Sequence, residues 1–425
     1  MVILVHPTGN ANVRHAAQAL NEVGLLSEFW TSLYWRRERA LQYMLPGSVR
    51  QLFDRRAFPQ VPRELVRCHP WLEIGRLLAS QMGLSKIVRH ETGLLSVDAI
   101  YRSLDRRVAK RLHRSSDVFA VHAYEDGALE TFRVAKNLGI RTIYELPIGY
   151  WRSYRDLMLE EAELQPEWAN TLHGNTDSVR KRHRKDEELA LADRILVPSE
   201  FVRRTLTNAG DLDAAIRVVP YGAPPTSEKT TKTPRKPNQK LRVIFVGSLG
   251  QRKGISYLLR AVEMLGSRIE LTLIGKRVGD CRALDAACRK HRWIPSLPHS
   301  EVLRQIQRHD VMVFPSLFEG FGLVLLEAMS RGVPVIATPN GAAPDILKDG
   351  EDGFIVPIRN AEAIAERLQT LCLDPERLAA MSEAAIRTAA RHSWARYGER
   401  LVAAVRQTLL ESVPFPSHIF AALSA

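Results

Sequence analysis

The stretch DVMVFPSLFEGFGLVLLEAMSRGVPVIATP, residues 310–339, decides the fold. It begins with an apolar run that ends at Pro-Ser, continues through a Gly-Phe-Gly turn into a helix-forming run, and closes on a second apolar run. Two β-rich runs separated by one helical run are typical of parallel strands joined by a crossover helix. This stretch therefore predicts an α/β fold with a parallel sheet.

The same alternation fills two blocks of the chain. Runs such as VILVHP, DVFAVHA and DRILVPS recur before residue 223, and LRVIFVGS, IELTLIG and DVMVFPS recur after residue 240. The segment between them, APPTSEKTTKTPRKPNQK, is rich in proline and has no periodicity, which is typical of a linker. We therefore predict two Rossmann-like α/β domains that face each other across a cleft. The predicted boundaries are 1–222 for the first domain, 223–240 for the linker, 241–395 for the second domain, and 396–425 for helical sequence that packs back on the first domain.

The composition excludes several classes of protein. The chain has 425 residues, of which 45% are hydrophobic and 25% charged, as in folded globular proteins. No stretch approaches the roughly 20 apolar residues that span a bilayer. The opening MVILVHPTGN resembles a first strand more than a signal peptide. The four cysteines show no metal-ligand spacing, so we predict a protein of the reducing cytoplasm.

Positive charge is concentrated in the first quarter of the chain. The formal net charge is +13, and the range 34–114 holds 17 Lys and Arg against 7 Asp and Glu. One interpretation is a solvated helical face. Another is a surface that binds anionic phospholipid or a phosphate-bearing acceptor. No zinc-finger, RNP or helix-turn-helix pattern supports nucleic acid as a partner.

The Gly-Phe-Gly turn predicts a binding site at the end of a strand. Gly320 and Gly322 allow a tight turn and a close approach of the backbone to a ligand. The amides from Gly322 to Leu325 would open a new helix, where a phosphate binds readily. In such sheets the carboxyl ends of the strands line the ligand cleft.

Two carboxylates flank this turn. Glu319 precedes it, and Glu327 follows eight residues later, about 12 Å along a helix. Carboxylates suit hydroxyl pairs on either side of a diphosphate better than they suit phosphate itself. The alternatives are that Glu327 pairs with Arg331 one turn away, and that Glu319 is a helix-start carboxylate favoured by the dipole.

These residues resemble a known family. The run EGFGLVLLE resembles the E-x7-E motif of family 4 retaining glycosyltransferases, which have the GT-B fold of two Rossmann-like domains. The runs DRILVPSEFVRRTL, IFVGSLGQRKGISYLLRAV and GAAPDILKDGEDGFIVP are also similar to that family, so the resemblance covers almost the whole chain. It implies transfer of a sugar, with retention, from a UDP- or GDP-sugar to a hydroxyl of a glycan or lipid-linked acceptor. Polysaccharide or glycolipid biosynthesis is the implied setting.

The resemblance also assigns roles to residues. Glu319 would contact hydroxyls of the transferred sugar and Glu327 the ribose. Arg252 and Lys253 would act as the catalytic cations on the diphosphate, the work that a divalent metal does in other transferases. The remaining residues that it places around the donor are Gly247, Ser248, Gly275, Gly320, Phe321, Gly322, Leu323, Val324, Gly9, Asn10 and His122.

The chain departs from the family pattern at several positions. Ser248 stands where many relatives have arginine, and Asp345 where many have glutamate. The strand-end histidine of many relatives is missing from YELPIG (144–149), and the nearest candidate, His122, is also typical of a structural histidine. The run DLD (211–213) matches a metal motif only formally, because it lies in a surface loop, so we predict no metal and no cofactor.

Two other functions stay open at this point. A nucleotide-sugar 2-epimerase shares the two-domain architecture, and a binding or scaffold protein could keep the fold without catalysis. Because the N-terminal domain holds the acceptor in this family, the basic region 34–114 predicts peripheral attachment to the inner face of the cytoplasmic membrane. Nucleic acid is not expected as a partner.

Overall fold

The computed structural model describes residues 1–35, 56–172, 177–226 and 239–411. Its N-terminal domain is built on a seven-stranded sheet in the order β3-β2-β1-β4-β5-β6-β7, and every pairing is parallel. The strands are β1 (Val2–Val5), β2 (Leu26–Thr31), β3 (Val66–Cys68), β4 (Ala120–Tyr124), β5 (Arg141–Glu145), β6 (Arg194–Val197) and β7 (Ala215–Val218).

Helices cover this sheet, and most of them present an apolar face to it. They are α1 (Ala11–Glu22), α2 (Trp71–Gln81), α3 (Val97–Leu112), α4 (Leu129–Asn137), α5 (Trp151–Leu164), α6 (Val179–Ala190) and α7 (Glu200–Thr205). The central strands β1, β4 and β6 are buried at every position, as expected of a parallel sheet with both faces covered. The interpretation of the basic region 34–114 as a helical face holds only in part, because its described residues include the edge strand β3.

The second sheet has six strands in the order β10-β9-β8-β11-β12-β13, again all parallel. The strands are β8 (Leu241–Val246), β9 (Ile269–Ile274), β10 (Arg292–Ile294), β11 (Val311–Phe314), β12 (Val335–Ala337) and β13 (Gly353–Ile355). The helices are α8 (Ile255–Leu265), α9 (Arg282–Lys290), α10 (His299–Gln307), α11 (Leu323–Met329), α12 (Ala343–Ile346), α13 (Ala361–Leu373), α14 (Pro375–Arg391) and α15 (Trp394–Leu410). The stretch 310–339 forms β11, α11 and β12, as its alternation predicts.

The last helix returns to the N-terminal domain. In α15 Tyr397 is buried, and its hydroxyl lies 3.5 Å from the carbonyl oxygen of Asn12 in α1. The chain enters α15 beside the point where it first leaves the N-terminal domain, since the amide of Ala223 donates to the carbonyl of His392 at 2.6 Å. The two crossings between the domains therefore lie together.

Parts of the sequence-based organisation fall outside the described residues. These parts are 36–55 of the basic region, 227–238 of the linker, and 412–425 at the C-terminus. The predicted domain boundaries stay predictions. Among the described residues, no helix combines the length and the apolar character needed to cross a bilayer.

Candidate active site

Two cations and a carboxylate meet at the carboxyl ends of neighbouring strands. Arg252 and Lys253 lie in a short 3-10 turn that follows β8, and Glu319 follows β11, the strand paired with β8. The guanidinium Nη1 of Arg252 donates to Glu319 Oε2 at 3.2 Å, and the ammonium of Lys253 pairs with the same oxygen. Residues 66 positions apart in the chain thus form one charged cluster.

The electrostatics of this cluster keep Glu319 ionised. Burial by itself raises the pKa of Glu319, but the charges of Lys253 and Arg252 outweigh it and hold the pKa below its usual value. Burial lowers the pKa of Lys253, and the Glu319 carboxylate offsets this in part. The Lys253 ammonium also lies 4.6 Å from the centre of the Phe314 ring. Both cations contact Oε2 of Glu319, and the prediction that this carboxylate contacts sugar hydroxyls stays a prediction.

Gly320 serves the contact between the domains. A Cβ at this position would lie 1.9 Å from the carbonyl oxygen of Pro147, in the loop after β5. The hydroxyl of Ser199 donates to the carbonyl of Gly320 at 2.6 Å. In the structure this position requires glycine because it closely approaches the other domain, and its predicted approach to a ligand stays a prediction.

A second polar contact lies beside the first. The amide of Glu200, at the start of α7, donates to Asp345 Oδ2 at 2.8 Å. Asp345 is the residue that departs from the family's glutamate, and here its carboxylate reaches across to the N-terminal domain.

The turn itself is packed on both sides. Phe318 is buried against Tyr154 and Phe201 of the N-terminal domain, with ring centres 5.1 Å apart in each case. Phe321 is buried and packs at 5.2 Å against Tyr221, beside the crossing between the domains. The structure therefore holds the Gly-Phe-Gly turn in the cleft by aromatic contacts that the sequence pattern did not predict.

The helix after the turn is short and begins directly after Gly322. Gly322 has φ +80° and precedes α11, which covers Leu323–Met329. Because the amide of Leu325 already donates to the carbonyl of Gly322, the helix start offers fewer amides than the predicted set. Leu323 and Val324 are half-buried at this start.

Glu327 faces a histidine that sequence reasoning missed. His299 Nε2 lies 2.9 Å from Glu327 Oε1, and the hydrogen bond to this carboxylate raises the pKa of His299. In the described part of the chain no ion pair joins Glu327 to Arg331, so that alternative is not what the structure shows. His299 is 28 residues away, at the start of α10, and no local pattern links the two positions.

The glycines after β8 and β9 pack against each other. Gly247 and Gly275 have φ +153° and +148°, and a Cβ on Gly275 would lie 1.8 Å from the carbonyl oxygen of Gly247. Trp293 packs beside these glycines, and its indole N–H donates to the Gly275 carbonyl at 2.9 Å. Ser248 is exposed at the same edge of the sheet.

The N-terminal candidates lie in two different environments. Gly9 is half-buried and Asn10 is exposed at the start of α1, in the loop after β1. His122 is fully buried in β4, and its Nε2 lies 2.9 Å from Glu145 Oε2. Glu145 also accepts from the Tyr221 hydroxyl at 2.9 Å. The structure thus places His122 inside the domain, with a carboxylate partner, rather than on the wall of the cleft.

A pocket of about 240 Å³ opens between the domains beside Arg252. Its lining residues are Glu125, Ile148, Gly149, Trp151, Tyr154, Arg155, Asp177, Arg182, Lys185 and Arg252. None of the first nine was predicted. The basic run RKRHRK at 180–185, in the first half of α6, contains two of them, Arg182 and Lys185, but does not indicate which of its residues face the cleft.

One group of side chains in the described ranges has the spacing to hold a metal ion: His90, Glu91 and Asp177. Its carboxylates already have partners, since Glu91 accepts from the Ser178 amide at 2.8 Å and Asp177 from Lys181 at 3.0 Å. The predicted absence of a metal stays a prediction.

Comparison with known proteins identifies related sequences. Residues 226–388 match the family model described as glycosyl transferases group 1. A D-inositol 3-phosphate glycosyltransferase of Corynebacterium jeikeium is 29% identical over 314 residues, which are 63% of this chain and 72% of that protein. A sucrose synthase of Acidithiobacillus caldus is 39% identical over 125 residues, which are 27% of this chain and 16% of that protein.

Solved structures match almost the entire chain. Sucrose-phosphate synthase from Thermosynechococcus elongatus has a TM-score of 0.65 at 17% identity, over 97% of this chain and 99% of that one. Anabaena HepE in complex with UDP-glucose has a TM-score of 0.62 at 14% identity, over 96% and 99%. The predicted GT-B fold is therefore confirmed.

Proposed function

We propose that the chain, whose residues 226–388 match the family model of glycosyl transferases group 1, transfers a sugar from a UDP- or GDP-sugar to an acceptor hydroxyl with retention of configuration. The observation that carries the proposal is the meeting of Arg252, Lys253 and Glu319 at the strand ends that face the cleft. A cleft between two such domains is where ligands of α/β folds bind.

The two cations would act on the leaving group. When the bond between the sugar and the diphosphate breaks, negative charge grows on the departing phosphate. Fixed positive groups in a site of low dielectric stabilise that charge more in the transition state than in the bound donor. Arg252 and Lys253 are held in place by Glu319, so they need little reorganisation when the charge develops. Their pairing with one carboxylate leaves the cluster with excess positive charge for a diphosphate.

Glu319 and Glu327 would hold the two ends of the donor. Glu319 is kept ionised by its cations, which suits acceptance of hydrogen bonds from sugar hydroxyls through Oε1. Glu327 and His299 would bind the ribose. The crystallised HepE with UDP-glucose supports a donor of this class for the fold.

Retention would follow from attack on the same face that the leaving group departs. Glu319 is committed to two cations, so it is a poor nucleophile for a covalent intermediate. We propose that the oxygen of the departing phosphate accepts the proton of the attacking hydroxyl, while the new C–O bond forms and the bond to the diphosphate breaks.

The acceptor would bind on the N-terminal domain. A glycan or lipid-linked hydroxyl remains the proposal, with polysaccharide or glycolipid biosynthesis as its setting and the inner face of the cytoplasmic membrane as its place. The basic region 34–114 supports peripheral attachment, although its residues 36–55 lie outside the described part of the chain. Pelleting with anionic liposomes at low salt tests this, and a protein that stays in solution contradicts it.

The donor proposal is tested in two steps. Thermal shift with UDP, GDP and ADP and their sugars identifies the nucleotide. Turnover of the donor found is then compared for wild type, Lys253→Ala, Glu319→Gln and the control Lys290→Ala, an exposed lysine at the end of α9. We expect kcat to fall about 100- to 1,000-fold in the first two variants, as for loss of one preorganised charge-stabilising group, and not to change in the control.

Three outcomes would overturn the proposal. Near-normal turnover in both site variants would remove the cluster from the reaction. An epimer of the donor sugar, formed without acceptor and detected by NMR, would make the chain an epimerase. Nucleotide binding without turnover across a broad acceptor panel would favour a binding protein.

A further inference from the structure

We propose that the pocket beside Arg252 binds an acceptor that carries an anionic group, a phosphate or a carboxylate, close to its attacking hydroxyl. This inference rests on the proposed glycosyl transfer, because it names the acceptor chemistry of the same cleft. The pocket has a volume of about 240 Å³ and is lined from both domains, by α5 and α6 on one side and by Arg252 on the other.

The pocket adjoins the donor cluster. Arg252 belongs to both, since it lines the pocket and its Nη1 lies 3.2 Å from Glu319. Tyr154, another lining residue, packs against Phe318, the neighbour of Glu319 in the chain. A molecule in this pocket would therefore have its nearest hydroxyl beside the sugar that Glu319 is proposed to hold.

Positive charge exceeds negative charge in the lining. Its cations are Arg155, Arg182, Lys185 and Arg252, and its carboxylates are Glu125 and Asp177. Lys185 forms ion pairs with both carboxylates, at 3.1 Å from Asp177 and 3.5 Å from Glu125. Arg182 has no ion pair with any carboxylate in the described ranges.

Arg182 is one of three arginines that surround the ring of Trp151. The guanidinium carbons of Arg152, Arg155 and Arg182 lie 4.5, 5.3 and 5.3 Å from the centre of the Trp151 ring. Arg152 is compensated by Asp186 at 2.8 Å, and Arg155 by Asp156 at 3.1 Å. The repulsion that remains around Trp151 would be relieved by an anion bound at the pocket mouth.

Helix stability does not explain this placement of arginine. The first turn of α6 contains Arg180, Lys181 and Arg182 and no acidic residue. Cations at a helix N-terminus are disfavoured by the helix dipole. Arg182 is half-buried and faces the pocket, while Arg180 is exposed and lines a different groove. The position of Arg182 on the pocket wall, beside Trp151, therefore suits contact with an anionic ligand of the cleft.

The size of the pocket limits the ligand. It is smaller than the roughly 300–1,000 Å³ of pockets that enclose drug-sized molecules. A phosphorylated or carboxylated polyol fits this description, and it can stand alone or form the headgroup of a lipid whose chains remain outside. The two sources share one chemistry, and the test distinguishes them.

The test measures binding to the full chain in the presence of saturating UDP or GDP. Glycerol 1-phosphate, glycerol and inorganic phosphate are titrated by calorimetry, and vesicles with and without phosphatidylglycerol are tested by pelleting. Wild type is compared with Arg182→Gln and with Arg180→Gln, which makes the same charge change on the other face of α6. We expect glycerol 1-phosphate to bind more tightly than glycerol and inorganic phosphate, and to lose about 10-fold in affinity in Arg182→Gln only, as for a hydrogen bond to a charged group.

Each result of the calorimetry and pelleting experiments either supports or overturns the proposal. A loss of affinity confined to Arg182→Gln supports the proposal. If the loss is seen with glycerol 1-phosphate, the acceptor is a soluble molecule. If it is seen only with the vesicles, the acceptor is a lipid headgroup. Equal binding of glycerol or inorganic phosphate, equal loss in Arg180→Gln, or no binding of any probe overturns it. Nucleotide binding checks the fold of each variant. If wild type binds no nucleotide, it is the proposed function that fails.

Discussion

Replacement of Glu161 tests how the cation pair is held in the cleft. Glu161 lies in α5 of the N-terminal domain and is fully buried. Its carboxylate accepts from Gln251 Nε2 at 2.7 Å, from the Tyr257 hydroxyl at 2.9 Å and from Arg359 Nε at 2.7 Å. All three donors belong to the other domain, and Gln251 directly precedes Arg252 and Lys253, the cations proposed to act in catalysis.

The expected loss of unfolding free energy depends on which other hydrogen-bond partners the three donors retain. In Glu161→Ala, Gln251 keeps the Ser256 hydroxyl at 2.7 Å, and Arg359 keeps Glu160 at 2.7 Å. The loss therefore lies at the lower end of the range for breaking a buried pair, about 3 kcal/mol of the free energy of unfolding. For domains of this size that corresponds to a fall of about 6–12 °C in the unfolding midpoint. Glu161→Gln preserves an acceptor and should lose less.

Glu160 supplies a matched control. It neighbours Glu161 and pairs with the same Arg359, but its side chain is 57% exposed. Glu160→Gln makes the same charge change, and we expect no measurable shift of the midpoint because exposed ion pairs contribute little. Thermal unfolding followed by circular dichroism gives the midpoints. Donor turnover gives kcat and KM, and we expect kcat to fall in Glu161→Gln because Gln251 loses its fixed position.

A result in which Glu161→Gln and Glu160→Gln behave alike would refute this reasoning. It would mean that the buried carboxylate does not hold the domains together in solution. A lower midpoint with unchanged kcat would refute only the step from Gln251 to the cation pair.

Three further predictions follow from individual contacts. Gly320→Ala should force the turn away from Pro147 and lower stability by about 1–3 kcal/mol, with a larger radius of gyration by X-ray scattering; unchanged values would contradict it. NMR titration should give His299 a pKa above its usual 6.5, and this pKa should fall in Glu327→Gln. The attraction between protonated His299 and the Glu327 carboxylate stabilises the fold at low pH and is lost as pH rises through the folded-state pKa of His299. Burial lowers the pKa of His6 to about 4. The unfolded chain therefore takes up this proton first, and about 3 kcal/mol of stability should be lost as pH falls from 6.5 towards 4. His6→Gln should lose correspondingly less, and an identical pH dependence would disprove the assignment.

The sequence predicted those parts of the molecule that depend on local pattern. The runs around 241–246 and 311–314 became neighbouring central strands because continuous Val, Ile and Phe sequence between helices favours a buried parallel sheet. Since parallel strands end at the same edge, the proximity of Lys253 and Glu319 follows from the same pattern. Family resemblance added the roles of these residues, which local physics alone does not supply.

The missed features depend on contacts between distant segments. His299 and Glu327 meet because α10 packs beside α11, and nothing near either residue indicates that packing. The need for glycine at 320 lies in the position of Pro147, a residue of the other domain. Arg182 enters the cleft because of the rotation of α6 about its axis, which a run of six basic residues leaves undetermined. In each case the partner lies more than 25 residues away, beyond the reach of pattern analysis.

The contacts of the Gly-Phe-Gly turn connect the proposed donor site to the interface between the domains. Phe318 packs against Tyr154 and Phe201, and Gly320 touches Pro147 and Ser199, all of the N-terminal domain. Glu319, placed between them, is proposed to hold the donor sugar from the other domain. Any opening that separates the domains must therefore break contacts on both sides of Glu319 at once. Those contacts steady the backbone that carries the carboxylate, so if Glu319 holds the donor as proposed, a donor that binds the closed arrangement more tightly will favour closure by its differential affinity.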